Sequence, residues 1–334
     1  MIIKKRKNSI ISGIYLKRMI NKRRAIIVGL KGYKITTKEI NFLKKYRPWG
    51  IILFSRNIKS ITQTQLLTKK IRSIFKDKNY PIIIDEEGGK VSRLGALIDN
   101  SLFSAKFFGK LFLKNIKKFN IYYKIYINQI SHLLNLLGIN INAYPVLDLY
   151  RVNSHNVIGN RSFSSNSKVV SKIGDMFIDQ FHKNRIGTII KHIPGHGYSK
   201  VDSHFELPII NKSLKHLNTH DFNSFKNKKS SFCMTAHIIY NRIDPINPAT
   251  HSNKIIRLIR DKILFNNLIM SDDISMKALK FNIVKNTKLA FTAGCNLVLH
   301  CNGNLSEMTL VAKNSPPIDK FILKKTYQFY NIIS

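Results

Sequence analysis

Residues 186–197, IGTIIKHIPGHG, join an apolar run to a polar segment that contains proline and glycine. The apolar run from Ile186 to Ile190 predicts a buried strand. The proline and two glycines that follow predict a loop, because both residue types interrupt regular structure. Lys191 and His192 would then lie at the carboxyl end of the strand, held firmly beside a more mobile segment.

That loop carries Asp202 and His204, two residues apart. A carboxylate beside an imidazole can orient the ring and stabilise its charged form. A histidine near its ordinary pKa of about 6.5 can both donate and accept a proton at neutral pH. The pattern therefore predicts that His204, oriented by Asp202, is an acid/base catalyst.

Short apolar runs alternate with amphipathic helical segments along the chain. Such runs are typical of parallel strands that are covered on both faces. Their alternation with helices predicts an α/β fold of the (β/α)8 TIM-type barrel class, built as a single domain. The runs are 25–30, 50–54, 81–85, 141–147, 187–192, 231–237, 268–273 and 295–301.

Polar residues end several of these runs. Active sites of (β/α)8 barrels lie at the carboxyl ends of the strands. Residues of different runs would therefore meet at one rim, which supports the barrel independently of any known protein. The residues in question are Asp85, Asp148, His192, His237 and Asp272.

The composition limits the possible partners. Lys and Arg number 56 against 18 Asp and Glu, giving a net charge of +38. The lysines are spread along the chain instead of forming one block, so we expect no nucleic-acid partner. Electrostatic contact with an anionic surface stays open for a basic extension at 1–22, which precedes the barrel domain at 23–334.

Targeting and redox features indicate a reducing compartment. No apolar run approaches the roughly 20 residues of a membrane span, and the run from Ile10 to Tyr15 is too short for a signal core. The chain has only three cysteines. We therefore expect a cytoplasmic protein without a membrane span, and a monomer.

Several segments together resemble the bacterial β-N-acetylhexosaminidases of glycoside hydrolase family 3. The resemblance runs from about residue 25 to about residue 305. The segments, in the family's order, are WGIILFSRNI at 49–58, IDEEGGKVSRL at 84–94, PVLDL at 145–149, GNRSF at 159–163, KHIPGHG at 191–197 followed by DSHFELP at 202–208, MTAHIIY at 234–240, MSDDISM at 270–276 and AGCNLVLHCNG at 293–303.

The resemblance implies a retaining exo-β-N-acetylglucosaminidase of peptidoglycan recycling. It implies Asp272 as the nucleophile, with His204 and Asp202 as the acid/base pair. The substrate would be a muropeptide that contains N-acetylglucosamine, and neither a metal nor a cofactor is implied. Terminal sugar contacts are implied at Asp85, Arg93, Arg161, Lys191 and His192. Asp148, Asn57 and His237 are expected to support them, and Glu87 is expected to shape a turn.

Alternatives stay open from the residues alone. Asp272 and Asp273 superficially resemble the acidic pair of enzymes whose substrate acetamido group is the nucleophile. Successive strand residues point to opposite faces, which argues against that mechanism. The histidines could form a metal site, although Lys191 would repel a cation. A catalytically decayed sugar-binding barrel is a further possibility, raised by departures such as Lys90, where the family usually has arginine.

Overall fold

Eight parallel strands close into a barrel in the computed structural model, which describes residues 20–152, 158–199, 201 and 206–334. The order around the barrel is β1-β10-β9-β7-β5-β4-β3-β2, and β2 pairs with β1 to complete the ring. The barrel strands are β1 (Arg24–Gly29), β2 (Pro48–Leu53), β3 (Ile82–Ile84), β4 (Ile141–Asn142), β5 (Gly187–Ile193), β7 (Phe232–Thr235), β9 (Leu268–Asp273) and β10 (Leu297–His300). The predicted (β/α)8 TIM-type barrel is confirmed.

Two short strands lie outside the barrel, β6 (Ile209–Ile210) and β8 (Ile239–Tyr240), and they pair with each other. The helices surround the ring. They are α1 (Thr37–Tyr46), α2 (Ile61–Phe75), α3 (Ala105–Lys114), α4 (Ile116–Leu137), α5 (Ser167–Lys183), α6 (Leu214–Thr219), α7 (Asn253–Asp261), α8 (Ile283–Ala293), α9 (Leu305–Asn314) and α10 (Lys320–Ile333). Among these helices, none is both long and apolar enough to cross a bilayer.

Helix ends follow local sequence signals. Thr36 and Glu39 form a capping box at the start of α1, in which each side chain accepts from the other residue's backbone N–H. Gly138 ends α4 with φ of 74°, a left-handed conformation that glycine adopts without strain. The segment from Leu305 onwards forms two helices, because Pro316 and Pro317 interrupt it between α9 and α10.

The barrel interior is filled by every second residue of the strands. Leu268 and Met270 of β9 pack there, as does Ile189 of β5. Alternation along a strand puts the next residues of the same phase, Asp272 and Lys191, on the inner face nearer the carboxyl end. The interior is thus apolar along its length and becomes polar at the carboxyl end.

Helix α10 closes the opposite end of the barrel. Its Thr326 accepts a hydrogen bond from the buried Trp49 indole, Nε1 to Oγ1, at 2.8 Å. Next to this contact, the fully buried Arg23 forms an ion pair with Asp77 at 2.5 Å, and the Tyr330 hydroxyl donates to the same carboxylate at 2.6 Å. Chain segments from both ends of the described sequence are therefore fixed at the base of the barrel.

Strand β4 is shorter than the predicted run 141–147. Pro145 has no backbone N–H to continue the ladder. The chain nevertheless stays beside β5, because Leu147 N donates to Lys191 O at 2.9 Å and Val146 forms a bridge with Lys191. Asp148 consequently still reaches the rim of the barrel, as the sequence predicts.

Candidate active site

Alternating charges lie at the carboxyl ends of β3 and β5. Lys191 Nζ is 2.6 Å from Asp85 Oδ1 and 2.7 Å from Glu87 Oε1. Arg161, in the short 3-10 helix Gly159–Arg161, donates to both oxygens of Glu87, from Nε at 2.8 Å and from Nη2 at 2.9 Å. The Lys191 and Glu87 side chains are only 2% and 1% exposed. The buried Lys191 and the largely buried Arg161 are thus compensated by carboxylates within direct contact.

The same contacts determine the protonation of these groups. Burial alone would raise the pKa of Glu87, but the Arg161 and Lys191 charges hold that pKa well below its usual range. Burial would lower the pKa of Lys191, and the carboxylates of Asp85 and Glu87 raise it above its ordinary value instead. Glu87, Lys191 and Arg161 are therefore all charged at neutral pH.

Sequence reasoning missed the importance of Glu87, which was expected only to shape a turn. The turn exists, since Gly88 and Gly89 have φ of 74° and 63°. A charge count could have revealed the further role. The predicted sugar contacts include three cations, Arg93, Arg161 and Lys191, but a single carboxylate, Asp85, and buried cations require additional compensation.

Arg93 lies on the more accessible side of Asp85. Its Nη2 is 3.7 Å from Asp85 Oδ2, and its guanidinium lies 5.3 Å from the centroid of the Phe54 ring. The Arg93 and Asp85 side chains are 30% and 17% exposed. The Asp85 carboxylate can therefore accept hydrogen bonds from ligand hydroxyl groups, and such charged bonds are the stronger kind.

His192 is oriented by a fully buried carboxylate. Asp148 Oδ2 lies 2.7 Å from His192 Nδ1 and accepts from the His192 backbone N–H at 3.1 Å, while Oδ1 accepts from the His196 backbone N–H at 2.6 Å. Burial would raise the pKa of Asp148, but His192 and these hydrogen bonds lower it overall. An ionised Asp148 fixes the His192 tautomer with the proton on Nδ1.

Asp272 and its neighbour Asp273 have different surroundings. Asp273 Oδ1 accepts from Ser275 N at 3.0 Å and from Ser275 Oγ at 2.8 Å, in the turn beyond β9. Asp272 is in phase with the interior residue Met270, is half-buried, and accepts from the Asp273 backbone N–H at 2.7 Å. The two carboxylates do not form a matched pair.

The closed parallel barrel brings the carboxyl ends of β3, β9 and β10 to one rim, and the electrostatic effects of Asp85 and Asp272 on the Cys301 thiol agree with this. Burial raises the pKa of the Cys301 thiol, and the carboxylates of Asp273, Asp85 and Asp272 raise it further. Burial lowers the pKa of His237, against the opposing effect of Asp272. Residues from β3, β9 and the end of β10 therefore converge at one rim.

The neutral His237 ring is held on both sides. Nε2 lies 3.0 Å from the Asp273 carbonyl oxygen and therefore donates to it. Nδ1 lies 2.7 Å from Thr250 Oγ1 and accepts from that hydroxyl. Asn57, also expected in support, instead donates to the Leu30 and Gly32 carbonyls and so fixes the loop after β1.

The five predicted sugar contacts thus lie at one end of the barrel, together with Asp272. Asp202 and His204, the predicted acid/base pair, lie outside the described residues. Within the described ranges, His, Cys, Asp and Glu side chains form no group of three that could hold a metal ion. The arrangement offers ionised carboxylates and fixed N–H donors suited to a polyhydroxylated ligand.

Comparisons with known proteins agree with the family resemblance seen in the sequence. Residues 16–318 match the model of the glycosyl hydrolase family 3 N-terminal domain. The β-hexosaminidases of Glaesserella parasuis and Haemophilus ducreyi are 32% and 33% identical to the chain, each over 83% of its length and over 80% and 81% of their own. The crystal structure of NagZ from Neisseria gonorrhoeae, in complex with N-trifluoroacetyl-D-glucosamine, aligns with a TM-score of 0.83 at 28% identity, covering 92% of this chain and 90% of that one. The chain is therefore a glycoside hydrolase that belongs to family 3, where it groups with the bacterial β-hexosaminidases.

Proposed function

We propose that the protein is a retaining exo-β-N-acetylglucosaminidase. The observation that carries this proposal is the position of Asp272, in phase with the barrel interior and at the same end of the barrel as the cluster of Asp85, Lys191, Glu87 and Arg161. The carboxylate cluster supplies acceptors for sugar hydroxyls. Asp272 supplies a carboxylate at the end of the barrel where a bound sugar would lie.

In the proposed reaction, Asp272 attacks the anomeric carbon of the terminal sugar while the glycosidic C–O bond breaks. His204, oriented by Asp202, donates a proton to the leaving oxygen. A water molecule then gives a proton to His204 and attacks the same carbon, which releases Asp272 and the sugar. Two displacements retain the configuration at the anomeric carbon.

We assign sugar binding to the predicted set. Asp85 accepts hydrogen bonds from sugar hydroxyls, and Lys191, Arg93 and Arg161 donate to them. His192 presents a ring that Asp148 holds in one orientation. These groups are held by ion pairs to Asp85 and Glu87 or by Asp148, so little reorganisation accompanies binding. This rigidity supports a site that is built before the sugar arrives.

The finer substrate assignment rests on the family resemblance. We propose that the natural substrate is a 1,6-anhydro-muropeptide, cleaved by a monomeric enzyme in the cytoplasm during peptidoglycan recycling. The carboxylates of such a peptide-bearing substrate suit a chain of net charge +38.

The deciding experiment combines turnover with trapping. The protein is mixed with a chromogenic β-N-acetylglucosaminide, with Asp272→Ala as the control, and then with a fluorinated glucosaminide that slows the second displacement. We expect chromophore release by the wild type alone, and a sugar adduct on the peptide that contains Asp272. Binding without turnover would instead support a decayed sugar-binding protein. Turnover with an adduct elsewhere would reject Asp272 while keeping the activity.

A further inference from the structure

Helices α3 and α4 form an antiparallel hairpin on the outside of the barrel. Phe112 packs against Phe119 near the connection, with ring centroids 5.0 Å apart, and Phe108 packs against Tyr126 further along at 5.1 Å. These rings occupy the inner side of the hairpin. Other faces of the hairpin pack against α2 and α5, as Phe108 and Tyr123 do against Phe177. The faces turned away from the barrel are open among the described residues.

The open faces carry an unusual share of the protein's exposed apolar surface. Of the twenty large apolar side chains that are exposed among the described residues, nine lie between residues 102 and 136. Ile121 and Ile125, one helical turn apart on α4, are 58% and 47% exposed, and Leu113 of α3 is 65% exposed. Clustered exposure of this kind marks an interaction surface, whereas single exposed apolar residues need no explanation.

The charges around these side chains have one sign. Lys117, Lys118 and Lys124 are exposed and lie three or four residues from Ile121, so they surround it on the helix surface. Between Asp99 and Asp148 the sequence contains six lysines and neither aspartate nor glutamate. The carboxylate of α5 that affects this hairpin, Asp179, acts on the inward-facing Tyr123.

We propose that the α3–α4 hairpin binds an anionic membrane surface. Aliphatic and aromatic side chains would enter the boundary between headgroups and acyl chains, while the flanking lysines contact lipid phosphates. Lysines alone would equally suit a nucleic acid. The Ile121 and Ile125 ridge distinguishes the two, because it has no favourable contact on a duplex backbone and a bilayer can bury it.

The hairpin also adjoins the candidate active site. A Cβ added at Gly89 would lie 2.8 Å from Cβ of Ser104, the residue that precedes α3. Gly88 approaches the carbonyl of Phe103 in the same way. A docked hairpin would therefore hold the turn that carries Glu87, and with it the mouth of the barrel, close to the membrane.

Vesicle binding tests the proposal without reference to catalysis. The full-length protein is sedimented with vesicles of equal parts phosphatidylglycerol and phosphatidylcholine, with pure phosphatidylcholine vesicles, and with duplex DNA of equal phosphate concentration. We expect binding to the anionic vesicles that weakens as salt increases. Replacement of Lys117, Lys118 and Lys124 by glutamine should lower the affinity by roughly 100-fold, at about fivefold per lysine. The double variant Ile121→Gln, Ile125→Gln, which keeps every charge, should lower it at least about tenfold.

The matched control replaces three lysines that are exposed elsewhere, Lys229, Lys262 and Lys288, and so removes the same charge. We expect it to bind nearly as well as the wild type. The proposal is overturned by a wild type that does not bind anionic vesicles, by equal losses in the hairpin and control triple variants, or by full binding of the isoleucine double variant. Binding to DNA without vesicle binding also overturns it. All the substituted side chains are exposed, and an unchanged unfolding midpoint checks that each variant folds.

Discussion

The Arg161 guanidinium donates two hydrogen bonds to the Glu87 carboxylate, one to each oxygen, at 2.8 and 2.9 Å. The pair joins two loops that are distant in sequence, and Lys191 adds a third charged contact at 2.7 Å from Glu87. The geometry of the proposed sugar donors therefore depends on a carboxylate that need not touch the sugar. We call Glu87 a positioning residue.

Replacement of Glu87 by glutamine should weaken substrate binding. The substitution removes the charge that pairs with both Arg161 and Lys191. Both cations then lack full compensation in a largely buried environment, which costs about 3–5 kcal/mol of folding stability and lets them move. We expect KM to increase by about tenfold or more, with a smaller change in kcat, as measured with a chromogenic glucosaminide.

Asp77→Asn is the matched control for this substitution. Asp77 is also a buried carboxylate paired with an arginine, Arg23, but it lies at the opposite end of the barrel. The Asp77→Asn variant should have a lower unfolding midpoint than the wild type but the same KM. Equal KM values in the two variants would show that Glu87 acts only through global stability.

Asp148 should act on the reaction through His192. Asn at position 148 cannot provide the negative charge that faces the His192 Nδ1 atom at 2.7 Å. We expect kcat/KM to fall by about 10- to 100-fold, as for the loss of a hydrogen bond to a charged group. A double-mutant cycle of Asp148→Asn with His192→Gln tests whether Asp148 acts through His192. If the losses of Asp148→Asn and His192→Gln simply multiply in the double variant, the two residues act independently.

Stability should fall in weak acid because buried histidines are held neutral. Burial lowers the pKa of His182, His196 and His251 to about 4 each. Below about pH 6.5 the unfolded chain takes up protons at these positions that the folded chain does not bind. The contribution of these neutral histidines to the free energy of unfolding is therefore complete above that pH. It is lost as the pH falls towards 4, by about 1.4 kcal/mol per pH unit for each histidine.

His182→Gln isolates one of these contributions, since His182 is distant from the proposed sugar contacts and hydrogen bonds to Thr188 at 3.1 Å. We would measure the free energy of unfolding in urea at several pH values. In His182→Gln it should vary with pH less steeply than in the wild type, by about 1.4 kcal/mol per pH unit. If the free energy of unfolding of His182→Gln depends on pH as steeply as that of the wild type, His182 does not contribute to the acid sensitivity.

Gly109 should tolerate no side chain. A Cβ there would lie 1.6 Å from the Phe163 carbonyl oxygen, in the segment that follows Arg161. We expect Gly109→Ala to cost about 2 kcal/mol or more by overpacking, despite alanine's better helix propensity. Gly95→Ala meets no atom within 4 Å and should be neutral or slightly stabilising. Unfolding midpoints of the two variants check this difference directly.

Local patterns predicted the features that depend on neighbouring residues. The period of two along a strand puts Asp272 in phase with Met270, and apolar runs marked every barrel strand. Strand β4 is shorter than the predicted run 141–147 because Pro145 interrupts the ladder. The role of Glu87 was missed because its partners, Arg161 and Lys191, lie far along the chain, where periodicity carries no information. The roles of Asp202 and His204 stay predictions.

Closure of the ring has a consequence for biosynthesis. β1 pairs with β10, near the far end of the chain, and Arg23 meets its Tyr330 partner in the last helix. One edge of β1 therefore has no partner until Leu297–His300 has been synthesised and has left the ribosome. Unpaired strand edges promote association between chains. We expect the nascent protein to depend on chaperones until β10 and α10 have emerged from the ribosome.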